Sequence, residues 1–239
     1  MFPTIHLFGL NVSTYWMMFA IGFIAMTVLL IVRRKRFALS TPKALIFSVM
    51  MAVFGLLGAK ALYLIENIEL VKRYGIKIGG MSFYGSVWMI MLFMPLVGLI
   101  FKLRPKKTLD AASPAVAIMI GFMRVGCFFN GCCGGITVRS ATGSFTWPTQ
   151  AIESVGDFII LFILLEWERR KETDGRLYPA FLALYGTLRF FVEFVRDTPK
   201  EVLGMSYGQL YSLASALLGA GYLIYRHIIY GKTIKGDNR

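Results

Sequence analysis

The amino-acid sequence predicts an all-α integral membrane protein of about seven transmembrane helices. Its N-terminus is expected outside, its C-terminus inside, and residues 1–239 are expected to form a single polytopic membrane domain. Three observations predict this. The chain is 56% hydrophobic and only 16% charged, with a mean hydropathy of +0.63, whereas a soluble domain is about a quarter charged. It divides into seven apolar segments, each close to the about 20 residues that cross a bilayer. Its Lys and Arg residues fall unequally on alternate sides of those segments.

The first segment, 14–32, has no basic residue before it; the first is Arg33. A signal peptide would open on positive charge, so this span is expected to stay in the protein. The second segment, 44–64, carries Lys60, and the third, 83–102, follows the glycine-rich run Gly79–Gly85. The fourth, 109–129, carries Arg124, and the fifth, 149–166, carries Glu153 and Asp157. The sixth, 177–195, carries Arg189 and Glu193, and the seventh is 208–226. One charge costs about 3 kcal/mol at the centre of a span, and several Leu, Ile and Phe offset it.

With the N-terminus outside, seventeen Lys and Arg lie on the inner side and six on the outer, with Lys60, Arg124 and Arg189 inside spans. The inner set is Arg33–Arg36, Lys43, Lys102–Lys107, Arg169–Arg176 and the C-terminal tail. The outer set is Lys72, Arg73, Lys77, Arg139, Arg196 and Lys200. This asymmetry sets the orientation. It also accounts for the net charge of +13 as topology and anionic-lipid contact rather than nucleic-acid binding.

Charged residues within a bilayer face the bundle interior and carry function. At 1.5 Å per residue, Lys60, Arg124, Glu153, Asp157, Arg189 and Glu193 all fall in the outer half of the membrane. Six charges at one depth point to a polar chamber there. Tyr185, Arg189, Glu193 and Arg196 recur at helical spacing and form one stripe, along which Arg189 and Glu193 pair. Glu153 and Asp157 share a face and, as like charges, need a positive partner or water; Arg124 and Arg189 are candidate partners. Gly79–Gly85 enters a span, and Asn130-Gly131-Cys132-Cys133-Gly134-Gly135 leaves one. Irregular backbone at such depth lines a cavity. Backbone N–H groups beside arginine suit a phosphate.

Other classes fit less well. Cys127, Cys132 and Cys133 match no common zinc spacing, and the two histidines, His6 and His227, lie at opposite ends of the chain. No metal and no cofactor are therefore expected. A redox relay and simple packing remain open for the thiols. There is no P-loop, GxSxG or HExxH run. A transporter remains the alternative outside enzymes, although its charges would sit nearer the midplane. Buried ion pairs that only fix helix packing are the bland alternative.

At these motifs the sequence resembles the prolipoprotein diacylglyceryl transferase family. Met123-Arg124-Val125-Gly126-Cys127-Phe128-Phe129-Asn130-Gly131 resembles the signature G-R-I/V-G-N-F-x-N-G-E. Gly79–Gly85 resembles G-G-L/M-S-F-H-G, and Gly58-Ala59-Lys60 with Tyr63 resembles G-A-R-x-x-Y. Trp147-Pro148-Thr149-Gln150 through Glu153 resembles H-P-S/T-Q-L-Y-E. Tyr185-Gly186, Arg189-Phe190, Glu193-Phe194 and Arg196 resemble Y-G-x-x-R-F-x-x-E-F-x-R, and Met205–Gln209 resembles the M-G-Q segment. Tyr15 matches the tyrosine that opens the first span. The sequence departs at four places: Tyr84 stands for the loop histidine, Cys127 for the signature asparagine, Cys132 for the glutamate after N-G, and Trp147 for the histidine before proline.

The resemblance implies a bacterial inner-membrane transferase with its site toward the outer leaflet. Its donor would be phosphatidylglycerol. Its acceptor would be the lipobox cysteine of a prolipoprotein signal peptide, and its products a thioether and glycerol phosphate. It implies Tyr84, Arg189 and Glu193 as catalytic residues. It implies Arg124, Tyr15, Lys60, Gly85, Cys127, Gly131, Cys132, Gly135, Tyr185 and Arg196 as substrate-binding residues. Two alternatives stay open: a family-like protein with another acceptor or using its own cysteines, and a non-catalytic phospholipid-binding or transport protein.

Overall fold

The computed structural model describes residues 3–7, 10–76, 79–140, 143–170, 175–200, 202 and 204–236. Lys77, Lys171 and Arg239, which contribute to the charge asymmetry, lie outside the described residues. In chain order the helices are α1 (Thr14–Arg33), α2 (Thr41–Glu66), α3 (Ile68–Tyr74), α4 (Phe83–Ile100), α5 (Pro105–Asn130), α6 (Thr149–Arg170), α7 (Leu177–Val192) and α8 (Tyr207–Gly236). Each of the seven apolar segments folds as one helix, and α3 is an additional short one. Among the described residues, four helical segments are long and apolar enough to cross a membrane: Thr14–Phe37, Thr41–Glu66, Phe83–Ile100 and Pro105–Asn130. The protein is a helical, multi-pass membrane protein. Ile24, Leu57, Leu92, Phe162, Phe191 and Leu217 are exposed on its helices, as lipid contact requires and water would disfavour.

Two antiparallel hairpins were not foreseen from the sequence. β1 (Thr4–Leu7) pairs with β2 (Leu10–Ser13), placing Thr4 opposite Ser13. β3 (Thr137–Ser140) pairs with β4 (Gly143–Thr146), placing Thr137 opposite Thr146.

The chain forms two compact units, one of Met1–Ala25 with Ser113–Arg239 and one of Met26–Ala112. The points of division fall inside α1 and α5. In the unit Met26–Ala112, α2 and α4 meet backbone to backbone at Gly58 and Gly85. A Cβ on Gly58 would stand 2.8 Å from the Gly85 carbonyl carbon, and Ser86 donates to the Gly55 carbonyl at 2.7 Å. Small residues at helix contacts are how membrane helices pack without a hydrophobic driving force.

Arg33 departs from its expected place in an inner loop. It ends α1, is buried, and donates to the carbonyls of Ala111 at 2.9 Å and Asp110 at 3.2 Å. Pro114 lies inside α5 and has no N–H for the carbonyl four residues earlier. That carbonyl belongs to Asp110, and the Arg33 guanidinium supplies the missing donor.

In the unit containing residues 113–239, α7 and α8 also pack through small residues. A Cβ on Gly186 would stand 2.6 Å from the Ser212 carbonyl oxygen, and one on Gly219 would stand 2.6 Å from the Ala183 nitrogen. Ser154 donates to the Gly121 carbonyl at 3.0 Å, tying α6 to α5. These contacts fix the three helices that carry the charged residues.

Candidate active site

Four short stretches converge. α5 ends with Arg124 and Cys127 before Gly131, whose φ of 75° stops the helix as only glycine does without strain. α6 begins at Thr149, directly after Pro148, and carries Glu153 in its second turn. α7 carries Tyr185 and Arg189, then tightens into a 3-10 turn over Glu193–Val195. The chain leaves that turn extended at Arg196, with ψ at 144°.

Gly135 joins two of these stretches. Its N–H donates to the Trp147 carbonyl at 3.0 Å, and Ile136 N–H donates to the Val195 carbonyl at 2.9 Å. Gly135 and Arg196 form a β-bridge. A Cβ on Gly135 would stand 2.6 Å from Trp147 Cβ, so only glycine allows the approach that sets Arg196 in place.

Glu153 is the hub. It is fully buried and faces three guanidiniums. Arg124 Nε lies 2.8 Å from Glu153 Oε2. Arg189 Nη1 donates to Glu153 Oε1. Arg196 Nη1 lies 3.6 Å from the same oxygen. Arg189 also pairs through Nη2 with Glu193 Oε2 at 2.6 Å, so it bridges two carboxylates. A lysine, with a single ammonium, has no such fork. Arg196 Nη1 is buried and has no hydrogen bond among the described residues. A buried donor without an acceptor costs about 1–3 kcal/mol, and it marks where an acceptor belongs.

Glu193 is held from the other side. Its Oε1 accepts from Thr198 Oγ1 at 2.8 Å and from Ser206 Oγ at 2.9 Å. Ser206 Oγ in turn accepts from Gln209 N–H at 3.1 Å at the start of α8. Gly208 makes this possible, since a Cβ there would lie 2.8 Å from Glu193 Oε1.

The three cysteines gather at the same end of α5, with sulfurs all within 4.8 Å of one another. Cys127 is buried, Cys132 half-buried and Cys133 exposed. The Cys133 thiol is pushed down to about 5, chiefly by its hydrogen bond with Cys127 and then by the charges of Arg196 and Arg124. Tyr15 is within electrostatic range of Arg124 and all three thiols. Its backbone packs on α5, where a Cβ at Gly126 would stand 3.4 Å from Tyr15 Cα. Tyr185 is buried and stacked on Phe181, with centroids 5.6 Å apart. Charged donors gathered around one carboxylate, with a spare N–H, suit recognition of a second anion such as a phosphate ester.

The family model described as prolipoprotein diacylglyceryl transferase matches residues 3–225. The chain belongs to the prolipoprotein diacylglyceryl transferase family. Among its relatives is the phosphatidylglycerol–prolipoprotein diacylglyceryl transferase of Clostridium tetani, 32% identical over 90% of this chain and 93% of the relative. The enzyme designated transferase 2 of Clostridium perfringens is 28% identical, covering 92% of each chain. That of Geobacter sulfurreducens is 32% identical over 86% of this chain and 87% of its own. The chain is accordingly a transferase of lipoprotein biosynthesis.

Within this transferase, the expected pairing of Arg189 with Glu193 is present, and Arg124, Tyr185, Arg196, Cys127, Cys132, Gly131 and Gly135 lie in the same unit. Lys60, Tyr84 and Gly85 lie in the unit Met26–Ala112. Lys60 Nζ sits 5.7 Å from the centroid of Tyr63. Tyr84, read from the sequence as a loop residue, is the second residue of α4 and is buried, 6.2 Å from Trp88 by ring centroids. Gly85 provides the close approach to Gly58 described above.

The sequence reading named Glu153 as a charge needing partners but not as the centre of the site. Gln150 and Ser206 lay within quoted motifs but were given no role, and Thr198 carried no signal of its own, being an ordinary polar residue beside a span. Asp157 is also buried, and neither of its carboxylate oxygens has a hydrogen bond among the described residues.

Proposed function

We propose that the chain transfers the diacylglyceryl group of phosphatidylglycerol to the lipobox cysteine of a prolipoprotein. The acceptor sulfur forms a bond to the glycerol carbon that carries the phosphate ester. The carbon–oxygen bond to phosphate breaks, and glycerol phosphate departs with the electron pair. Charge develops on the departing phosphate, so positive groups fixed beforehand lower the barrier. Arg124 and Arg189 bind that phosphate, Arg196 adds its spare N–H, and Glu193 keeps Arg189 in place. Tyr84, at the position of the family's histidine, takes the thiol proton. Tyr15, Lys60 and Tyr185 contact the substrates, while Gly85, Gly131 and Gly135 allow close backbone approach. Seven spans, with the N-terminus outside and the site toward the outer leaflet of a bacterial membrane, let phosphatidylglycerol and translocated prolipoprotein meet there.

The observation that carries this reading is the gathering of three guanidiniums on one buried carboxylate, with Arg196 Nη1 making no hydrogen bond among the described residues. The names of the relatives support the same donor and acceptor. The test uses purified protein in detergent with phosphatidylglycerol and a lipobox peptide. Mass spectrometry should find the diacylglyceryl group on the peptide cysteine, and Arg124→Ala should remove it. A product of equal yield from Arg124→Ala would refute the role of the cluster.

A further inference from the structure

The three cysteines are a group of chemistry-bearing side chains that the phosphate reading leaves unused. We infer that Cys127, Cys132 and Cys133 form a three-thiolate site for a zinc ion, whose open fourth position takes the acceptor's thiol. This inference rests on the transferase reading for the identity of the fourth ligand, and on the cysteine geometry alone for the metal.

The backbone holds these thiols together. Cys127 is on the last full turn of α5, and the Cys132 N–H donates to the Cys127 carbonyl at 3.2 Å. Cys133 adopts a φ of 63°, a left-handed conformation that a non-glycine residue enters at a cost of about 1–2 kcal/mol. Two glycines follow it, either of which would carry that conformation without strain. The strained residue is the one whose side chain turns back toward Cys127. The first turn of α6 then fixes the loop: Thr149 Oγ1 donates to the Cys133 carbonyl at 2.9 Å, and Gln150 Nε2 donates to the Cys132 carbonyl.

The donor set suits zinc. With metal–sulfur bonds of about 2.3 Å, tetrahedral geometry places sulfurs about 3.8 Å apart. The three sulfurs here lie within 4.8 Å of one another, so small side-chain rotations close the difference. Three protein ligands with one position open is the pattern of catalytic rather than structural zinc. Three thiolates and a divalent ion leave one net negative charge, and Arg124 and Arg196 are within electrostatic range of Cys133 to offset it. Cys127 is buried while Cys133 is exposed, so such a site has one closed and one open side.

This site gives the reaction what it otherwise lacks. A phenol such as Tyr84 is a weak base at neutral pH, whereas a thiol coordinated to zinc is deprotonated outright. With zinc bound, coordination replaces Tyr84 as the means of ionising the acceptor thiol, whose proton passes to solvent. Its sulfur then attacks the glycerol carbon, the sulfur–carbon bond forms, the carbon–oxygen bond breaks, and glycerol phosphate leaves with the electron pair. The thioether is a poorer ligand than the thiolate and is released. No oxidation state changes.

The test begins with the full-length protein in detergent. Elemental analysis should find one zinc per chain after equilibration with zinc and removal of the excess. Cobalt(II) substituted as a probe should give a thiolate charge-transfer band of three-thiolate intensity. A lipobox peptide should raise that intensity, and the same peptide with serine for cysteine should not. Cys127→Ser, Cys132→Ser and Cys133→Ser should each weaken zinc binding at least tenfold. Cys133→Ser, at an exposed position, guards against a folding artefact and should leave phosphatidylglycerol binding unchanged. Absence of stoichiometric zinc and of the cobalt band, or full zinc binding by Cys133→Ser, would overturn the site. Thioether formation at an undiminished rate by metal-stripped protein would overturn the open-position role and leave the transferase reading standing. Zinc bound at the thiols with no thioether formed would sustain the site and refute the transferase reading.

Discussion

Replacing Glu153 with Gln removes the charge that three buried guanidiniums share while keeping the side chain's shape. Arg189 retains Glu193 at 2.6 Å. The loss therefore falls mainly on Arg124, which sits 2.8 Å from Glu153, and on Arg196 at 3.6 Å. Removing one partner of a buried pair destabilises by about 3–5 kcal/mol, because the remaining charge is left uncompensated. For a chain of this size each kcal/mol moves the unfolding midpoint by about 2–4 °C. Glu153→Gln should then unfold about 6–20 °C lower. An anion that occupies the same cluster should restore part of the loss. Phosphatidylglycerol in mixed micelles should raise the variant's midpoint more than the wild type's, and uncharged diacylglycerol should not. Thermal unfolding followed by circular dichroism measures both. A shift under about 2 °C, or equal rescue by the two lipids, would refute the view that Glu153 holds a preformed phosphate site.

Three further outcomes follow from the geometry. Arg189→Lys should lower activity by at least about a hundredfold, because one ammonium cannot hold Glu153 and Glu193 together as the fork does; product yield by mass spectrometry reads this. Gly208→Val would drive a side chain into Glu193, whose Oε1 is 2.8 Å from a Cβ at that position. Activity should fall at least tenfold while far-UV circular dichroism stays unchanged. Gly135→Val should displace Trp147 and the Val195 carbonyl and with them Arg196, weakening phosphatidylglycerol binding in a flotation assay more than it lowers the unfolding midpoint.

The helices were legible because an apolar run of about 20 residues has few other fates. The boundaries of α1, α4 and α6 begin where the sequence reading placed them, at residues 14, 83 and 149. The hairpins were not legible, since β3 and β4 are four residues each with an exposed, mixed pattern that carries no period. The Arg189–Glu193 pair was legible because its spacing lies within one helix. Arg124 and Arg189 were legible as candidate partners of Glu153, and both pair with it; the addition of Arg196 depends on how the chain packs after α7, which local spacing does not encode. The three cysteines were singled out in the sequence, but the closeness of their sulfurs was not legible for a related reason. Its spacing fits no zinc pattern, yet a left-handed Cys133 brings the third sulfur back to the first two.

The central claim is that the arginine cluster recognises the lipid's phosphate, and equilibrium binding tests it most directly. Purified protein should prefer phosphatidylglycerol to diacylglycerol of the same chains, and Arg196→Gln should lower that preference about tenfold, since Arg196 Nη1 is a buried donor with no hydrogen bond among the described residues and a hydrogen bond to a charged group is worth about 1.5–3 kcal/mol. An undiminished preference in Arg196→Gln and in Arg124→Gln alike would contradict the account.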